Sequence, residues 1–255
     1  QRKGAKGQRH REKLVFVVIL LLAAGLRFQA LGQDKRFHPD EALFATFARD
    51  AAVKGGWLLP GALDKPPLTI YISAISMALV GVTALPDGTL TLTPRAGELA
   101  ARMPGVFASL LTVSVIAALA KCLYNNAVGT RHASSLQLPM VTLLAALSPF
   151  AIAFSATAFT DGLLLLFLLL ALWQMSARRP LWAGIWLALA FACKQQAALY
   201  VPLLVLMGWA ADLTVRHSPF ARQGEGDRQR FWGTRYSISL LPLALMIIAL
   251  IVWDA

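Results

Sequence analysis

The sequence predicts an all-α protein, a polytopic transmembrane helical bundle of about seven spans with a long external first loop carrying juxtamembrane helices. Three observations predict it. Of 255 residues, 57% are hydrophobic and only 15% are charged, and the mean hydropathy of +0.60 is far above that of a soluble domain of this size. The apolar residues fall in runs of span length. The charge is lopsided, with 24 Lys and Arg against 13 Asp and Glu for a net +11. Much of the basic excess gathers between apolar runs, as cytoplasmic loops require. The basic residues do not form one face, so nucleic acid is not an expected partner. Cys122 and Cys193 lie in or beside apolar helix and suggest neither a metal site nor a disulfide framework.

Residues 1–13 carry Arg2, Lys3, Lys6, Arg9, Arg11 and Lys13 against Glu12, which predicts a mobile cytoplasmic tail ahead of a transmembrane domain over 14–255. Residues 14–31 form the first span, with Arg27 and Gln29 near its outer end. A cleaved signal peptide is disfavoured, because the run exceeds a signal core and further spans follow. Residues 40–54 place Leu43, Phe44, Phe47, Ala48 and Ala51 on a helical stripe. Pro39 suits the first helical position, and Asp40 and Glu41 suit the first turn. Gly55-Gly56 ends this surface helix, and Trp57 suits the membrane interface.

Residues 67–82 are apolar enough to cross, but charge parity argues against it. If they cross, the slightly acidic segment 84–101 lies inside and the basic segment 121–138 outside, against the positive-inside bias. If they do not, both obey it. Residues 32–101 are therefore read as one external segment, with Thr69, Tyr71, Ser73 and Ser76 easing the polar exposure of the helix over 67–82. The remaining spans are 103–123, 138–158, 162–177, two short helices within 181–212 broken at Lys194-Gln195-Gln196, and 236–253. A basic loop fills 213–235.

Under this topology Asp40-Glu41, Asp64-Lys65 and Asp161 share the outer side. Adjacent helix positions point about 100° apart, so Asp40 and Glu41 cannot both face one cavity. Either is a candidate general base or metal ligand, and helix capping is the plain structural alternative. Lys65, held extended by Pro66-Pro67, is a candidate grip for a phosphate, or an interfacial lysine on any anionic lipid. Asp161 heads an apolar helix as a candidate acid or as a cap. Lys194 sits inside an apolar stretch, to snorkel or to answer an anion, and Arg102 heads a span with Met-Pro-Gly behind it. His38 lies beside the acids. No phosphate-binding glycine loop, dinucleotide fingerprint or serine nucleophile elbow is present.

Taken together, His38-Pro39-Asp40-Glu41, Gly56-Trp57, Lys65-Pro66-Pro67-Leu68, Arg102-Met103-Pro104, Ser148-Pro149-Phe150, Asp161 with its apolar run, and Gly184 to Lys194 resemble the GT-C superfamily of membrane glycosyltransferases. Within it, the ordered set is similar to the branch of protein O-mannosyltransferases and lipid A aminoarabinose transferases. The resemblance implies a polyprenyl-phosphate monosaccharide donor, an acceptor of unknown kind, and inverting transfer on the non-cytoplasmic face of a bacterial inner membrane. It implies Asp40 as catalytic base or acceptor-orienting acid, with Glu41 beside it, and Asp161 as the second acid, sharing a divalent metal with Asp40 if one is bound. Lys65 would hold the donor phosphate, and His38, Arg102 and Lys194 would contribute to substrate binding. The family carries more spans than this chain, which is then expected to be the N-terminal half of a longer enzyme. The alternative class is a non-catalytic membrane subunit that keeps this fold as a scaffold beside other membrane subunits.

Overall fold

The computed structural model describes residues 2–57, 67–128, 137–216 and 241–248. Lys65, the loop over 213–235 beyond Arg216, and most of the span expected at 236–253 lie outside these residues. What is described is mostly helical: α1 (Arg2–Gly32), α2 (Pro39–Lys54), α3 (Leu68–Val80), α4 (Pro94–Val128), α5 (Gln137–Leu147), α6 (Pro149–Ser155), α7 (Asp161–Ser176), α8 (Pro180–Cys193), a 3-10 turn (Gln195–Tyr200), α9 (Val201–Arg216) and α10 over 241–248. The all-α expectation needs one small addition. Strands β1 (Thr83–Ala84) and β2 (Leu90–Thr91) form a minimal antiparallel hairpin, turned by Pro86-Asp87-Gly88 with Gly88 at φ +84°.

The chain forms two compact units, Gln1–Ser114 with Thr142–Leu163, and Val115–Val141 with Leu164–Ala255. The basic segment at the start is helical from Arg2 and continuous with the rest of α1. Among the described residues two helical segments are long and apolar enough to cross a membrane, His10–Gly32 and Pro94–Tyr124. At 1.5 Å per residue the shorter reaches about 35 Å, past a hydrocarbon core of about 30 Å. α3 has 13 residues and reaches only about 20 Å.

The expected span over 138–158 is broken, with α5 and α6 bent by 51°. The cause is Pro149, which has no N–H to donate to the carbonyl of Ala145. Arg27 of α1 takes up the loose end. Its guanidinium donates to the carbonyls of Ala145 (3.5 Å), Ala146 (3.0 Å) and Ala23 (3.2 Å), and its Nε donates to Ser109 Oγ at 2.7 Å. Arg27 is completely buried. A cation at the carbonyl end of a helix also complements the helix dipole.

A second proline organises the first unit in the same way. Pro104 lies inside α4 and leaves the carbonyl of Ala100 without its helical donor. Ser76 Oγ of α3 donates to that carbonyl at 2.6 Å, and Ser73 Oγ donates to Ala101 O at 3.5 Å. Polar residues that eased exposure in the sequence reading thus fasten α3 to α4. α3 also packs on α2, with Ile70, Ala74 and Met77 clustered with Phe44, Ala45, Ala48 and Ala51. Fully burying each of the larger side chains contributes about 1.5–3 kcal/mol.

In the second unit, α7 and α8 meet through stacked Phe167 and Trp186 rings, 5.9 Å between centroids. α8 stops at Cys193, where Lys194 turns extended (φ −160°, ψ 124°) before the 3-10 turn and α9. This is the polar break expected at Lys194-Gln195-Gln196.

Candidate functional site

α2 begins in a capping box built on a histidine. The N–H of Asp40 donates to His38 Nδ1 at 3.4 Å, and the N–H of His38 donates to Glu41 Oε2 at 3.0 Å. Pro39 occupies the first turn at no cost in hydrogen bonds. Gly55, left-handed at φ +72°, closes the other end by donating to Asp50 O.

That cap sends the two adjacent acids different ways. Glu41 is 3% exposed and accepts four hydrogen bonds. Oε1 takes Arg102 Nε (3.2 Å) and the Ala158 N–H (2.8 Å). Oε2 takes the His38 N–H and Arg102 Nη2 (3.4 Å). A carboxylate so occupied has no open lone pair for an incoming hydroxyl proton. Arg102 is equally committed. It also donates to Lys35 O (3.0 Å) and Arg36 O (3.4 Å), and lies 4.6 Å over the Phe37 ring. Both residues, read from the sequence as candidate base and substrate contact, are used here to tie the loop over 33–38, α2, α4 and the turn before α7 into one piece.

Asp40 faces outward, its side chain 69% exposed, 3.9 Å from His38 Nδ1. Because Nδ1 accepts the Asp40 N–H, it carries no proton in this arrangement, and the contact is no ion pair while the imidazole is neutral. The Asp40 carboxylate is therefore available, and His38 Nε2 carries the ring's donor. The His38 ring, itself largely exposed, rests against Phe159, 5.4 Å between centroids.

The Phe159 contact brings the second acid near. Ala158 donates to Glu41, Phe159 touches His38, and Asp161 opens α7 two residues later, half-buried. Its Cα lies within about 7 Å of that of Phe159, by the reach of two residues. The turn is held close by Gly105. A Cβ there would stand 2.7 Å from Thr157 O and 2.9 Å from Ser155 O, so no larger residue fits without moving the backbone. Sequence reasoning missed this role, although Pro104-Gly105 after Arg102 was a visible signal. Lys194 belongs to the second unit.

Among the described residues no three His, Cys, Asp or Glu side chains stand together as a metal-holding group. Asp40 and Asp161 alone do not make a protein coordination set, and no step below runs through a metal. The chain matches no family model, no curated protein and no solved structure.

Proposed function

We propose that the chain is a membrane glycosyltransferase of the GT-C kind, or its N-terminal half, moving a monosaccharide from a polyprenyl-phosphate donor to an acceptor on the non-cytoplasmic face of a bacterial inner membrane. The observation that carries this is the division of labour between adjacent acids. Glu41 is buried in structure, which leaves Asp40 exposed beside His38 and next to the turn that delivers Asp161. In this reading the chain is multi-pass with about seven spans, and residues 32–101 are external. The 13-residue length of α3 and its two serine bonds to α4 support placing that helix outside the span count.

The chemistry asks little of the protein. An acceptor hydroxyl loses its proton to Asp40 as its oxygen attacks the anomeric carbon. The bond from that carbon to the phosphate oxygen breaks, and polyprenyl phosphate leaves with the electron pair, inverting the centre. The enzyme supplies a base for the acceptor and positive charge for the leaving phosphate. His38 Nε2–H orients the acceptor, and Asp161 is the second acid at the same end. Lys65 would hold the phosphate, as the resemblance implies. Arg102 positions the site and does not touch substrate. Transfer of labelled sugar from polyprenyl-phosphate donors, wild type against Asp40→Asn, tests the assignment. The burial of Glu41 and Arg102 in each other also suits the second reading, a scaffold subunit, and absence of transfer from any donor by folded wild-type protein would favour it.

A further inference from the structure

Cations on an external segment run against the positive-inside bias and call for a reason. Among the described residues of this segment and the start of α4, three of the six cations are neutralised. Lys54 pairs with Asp50 (2.8 Å), Arg95 with Asp34 (3.4 Å) and Glu98 (3.6 Å), and Arg102 with Glu41. Lys35, Arg36 and Arg49 are exposed and have no carboxylate partner among the described residues. Of these, only Lys35 and Arg36 adjoin the candidate site. They stand three and four residues beyond the last residue of the first long apolar helix, Gly32, and five and four residues ahead of Asp40.

Their backbone is fixed. Arg102 takes both of their carbonyls, and Arg95 Nη2 takes Gly32 O at 3.1 Å. Two buried or paired arginines of α4 thus clamp the loop through its oxygens and leave its two free cations presented to solvent at the end of a span. That is the depth at which a lipid phosphate lies.

We infer that Lys35 and Arg36 form a phosphate-binding pair for a membrane lipid, seated at headgroup depth beside Asp40. The ligand class is a lipid phosphate, with the phosphate oxygens taken by the Arg36 guanidinium and the Lys35 ammonium and the chain left in the bilayer. Two sources share this chemistry, an isoprenoid monophosphate and an anionic glycerophospholipid. Only the preference for the isoprenoid rests on the glycosyl-transfer reading. Binding of either is independent of whether sugar is transferred.

The test uses the full gene product in phosphatidylcholine nanodiscs, with bound lipid counted by native mass spectrometry. One arm titrates geranylgeranyl monophosphate and the other phosphatidylglycerol. Lys35→Gln combined with Arg36→Gln is compared with wild type and with Arg49→Gln, which removes an equally exposed cation away from the site. Each surface cation contributes roughly fivefold to anionic lipid binding, so the double variant is expected to weaken binding about 25-fold while Arg49→Gln leaves it unchanged. A loss confined to the isoprenoid arm identifies a donor subsite. An equal loss in both arms identifies a general lipid-phosphate site. Unchanged binding in the double variant, or an equal loss with Arg49→Gln, overturns the inference.

Discussion

Arg102 Nε donates to Glu41 Oε1 across 3.2 Å, and both residues are 3% exposed. The pair joins α4 to the cap of α2, and through the Ala158 N–H it holds the turn that leads to Asp161. Removing one partner leaves an uncompensated buried charge. Glu41→Gln or Arg102→Met alone is therefore expected to cost about 3–5 kcal/mol, and Glu41→Gln with Arg102→Met together less than the sum. Thermal unfolding of the purified protein in detergent measures it.

Ser76 and Pro104 make a second coupled pair. Ser76 Oγ satisfies the Ala100 carbonyl that Pro104 leaves open. Ser76→Ala should cost about 1–3 kcal/mol in the wild-type background, the penalty of an unsatisfied buried carbonyl. With Pro104→Ala supplying an N–H, the same change should cost little. A double-mutant cycle by chemical denaturation reads the coupling directly.

Gly105→Ala puts a Cβ into the carbonyls of Ser155 and Thr157. The turn must move, so stability should fall by about 1–3 kcal/mol. The Ala158 N–H to Glu41 bond should loosen with it, and transfer should fall further than the stability loss explains. Comparing initial rates at a temperature where the variant remains folded separates the two effects.

The hairpin has its own pH response. The N–H of Thr89, and then its hydroxyl, donate to Asp87 Oδ1 at 3.0 and 2.7 Å and hold the Asp87 carboxyl below its ordinary value. The depressed value means that the turn's contribution is complete above the ordinary carboxylate range, near 3.9, and is lost as pH falls through the lower folded value. The Thr89 amide resonance in a pH titration should therefore move below that range, and Asp87→Asn should abolish the movement.

Much of this was legible in the sequence, where local chemistry decides. Pro39, Asp40 and Gly55-Gly56 bounded α2, and the break of α8 at Lys194 showed as a polar interruption. The bend at Pro149 was not read, because the run over 138–158 stays apolar across it and hydropathy does not register a missing N–H. Nor could the sequence separate Asp40 from Glu41, neighbours with equal claims. Their roles are set by Arg102, 61 residues away along the chain, and by the backbone of Ala158. Lys35 and Arg36 stand in no sequence motif, and only the pairing of Lys54, Arg95 and Arg102 around them sets them apart.

The central claim is that Asp40 is the base of a sugar transfer. Membranes holding the full gene product, given radiolabelled polyprenyl-phosphate sugars, should transfer label to an acceptor. Asp40→Asn should reduce the rate by about 10²–10⁴-fold at equal expression, the usual worth of a positioned base. Transfer at the wild-type rate in Asp40→Asn would contradict the account.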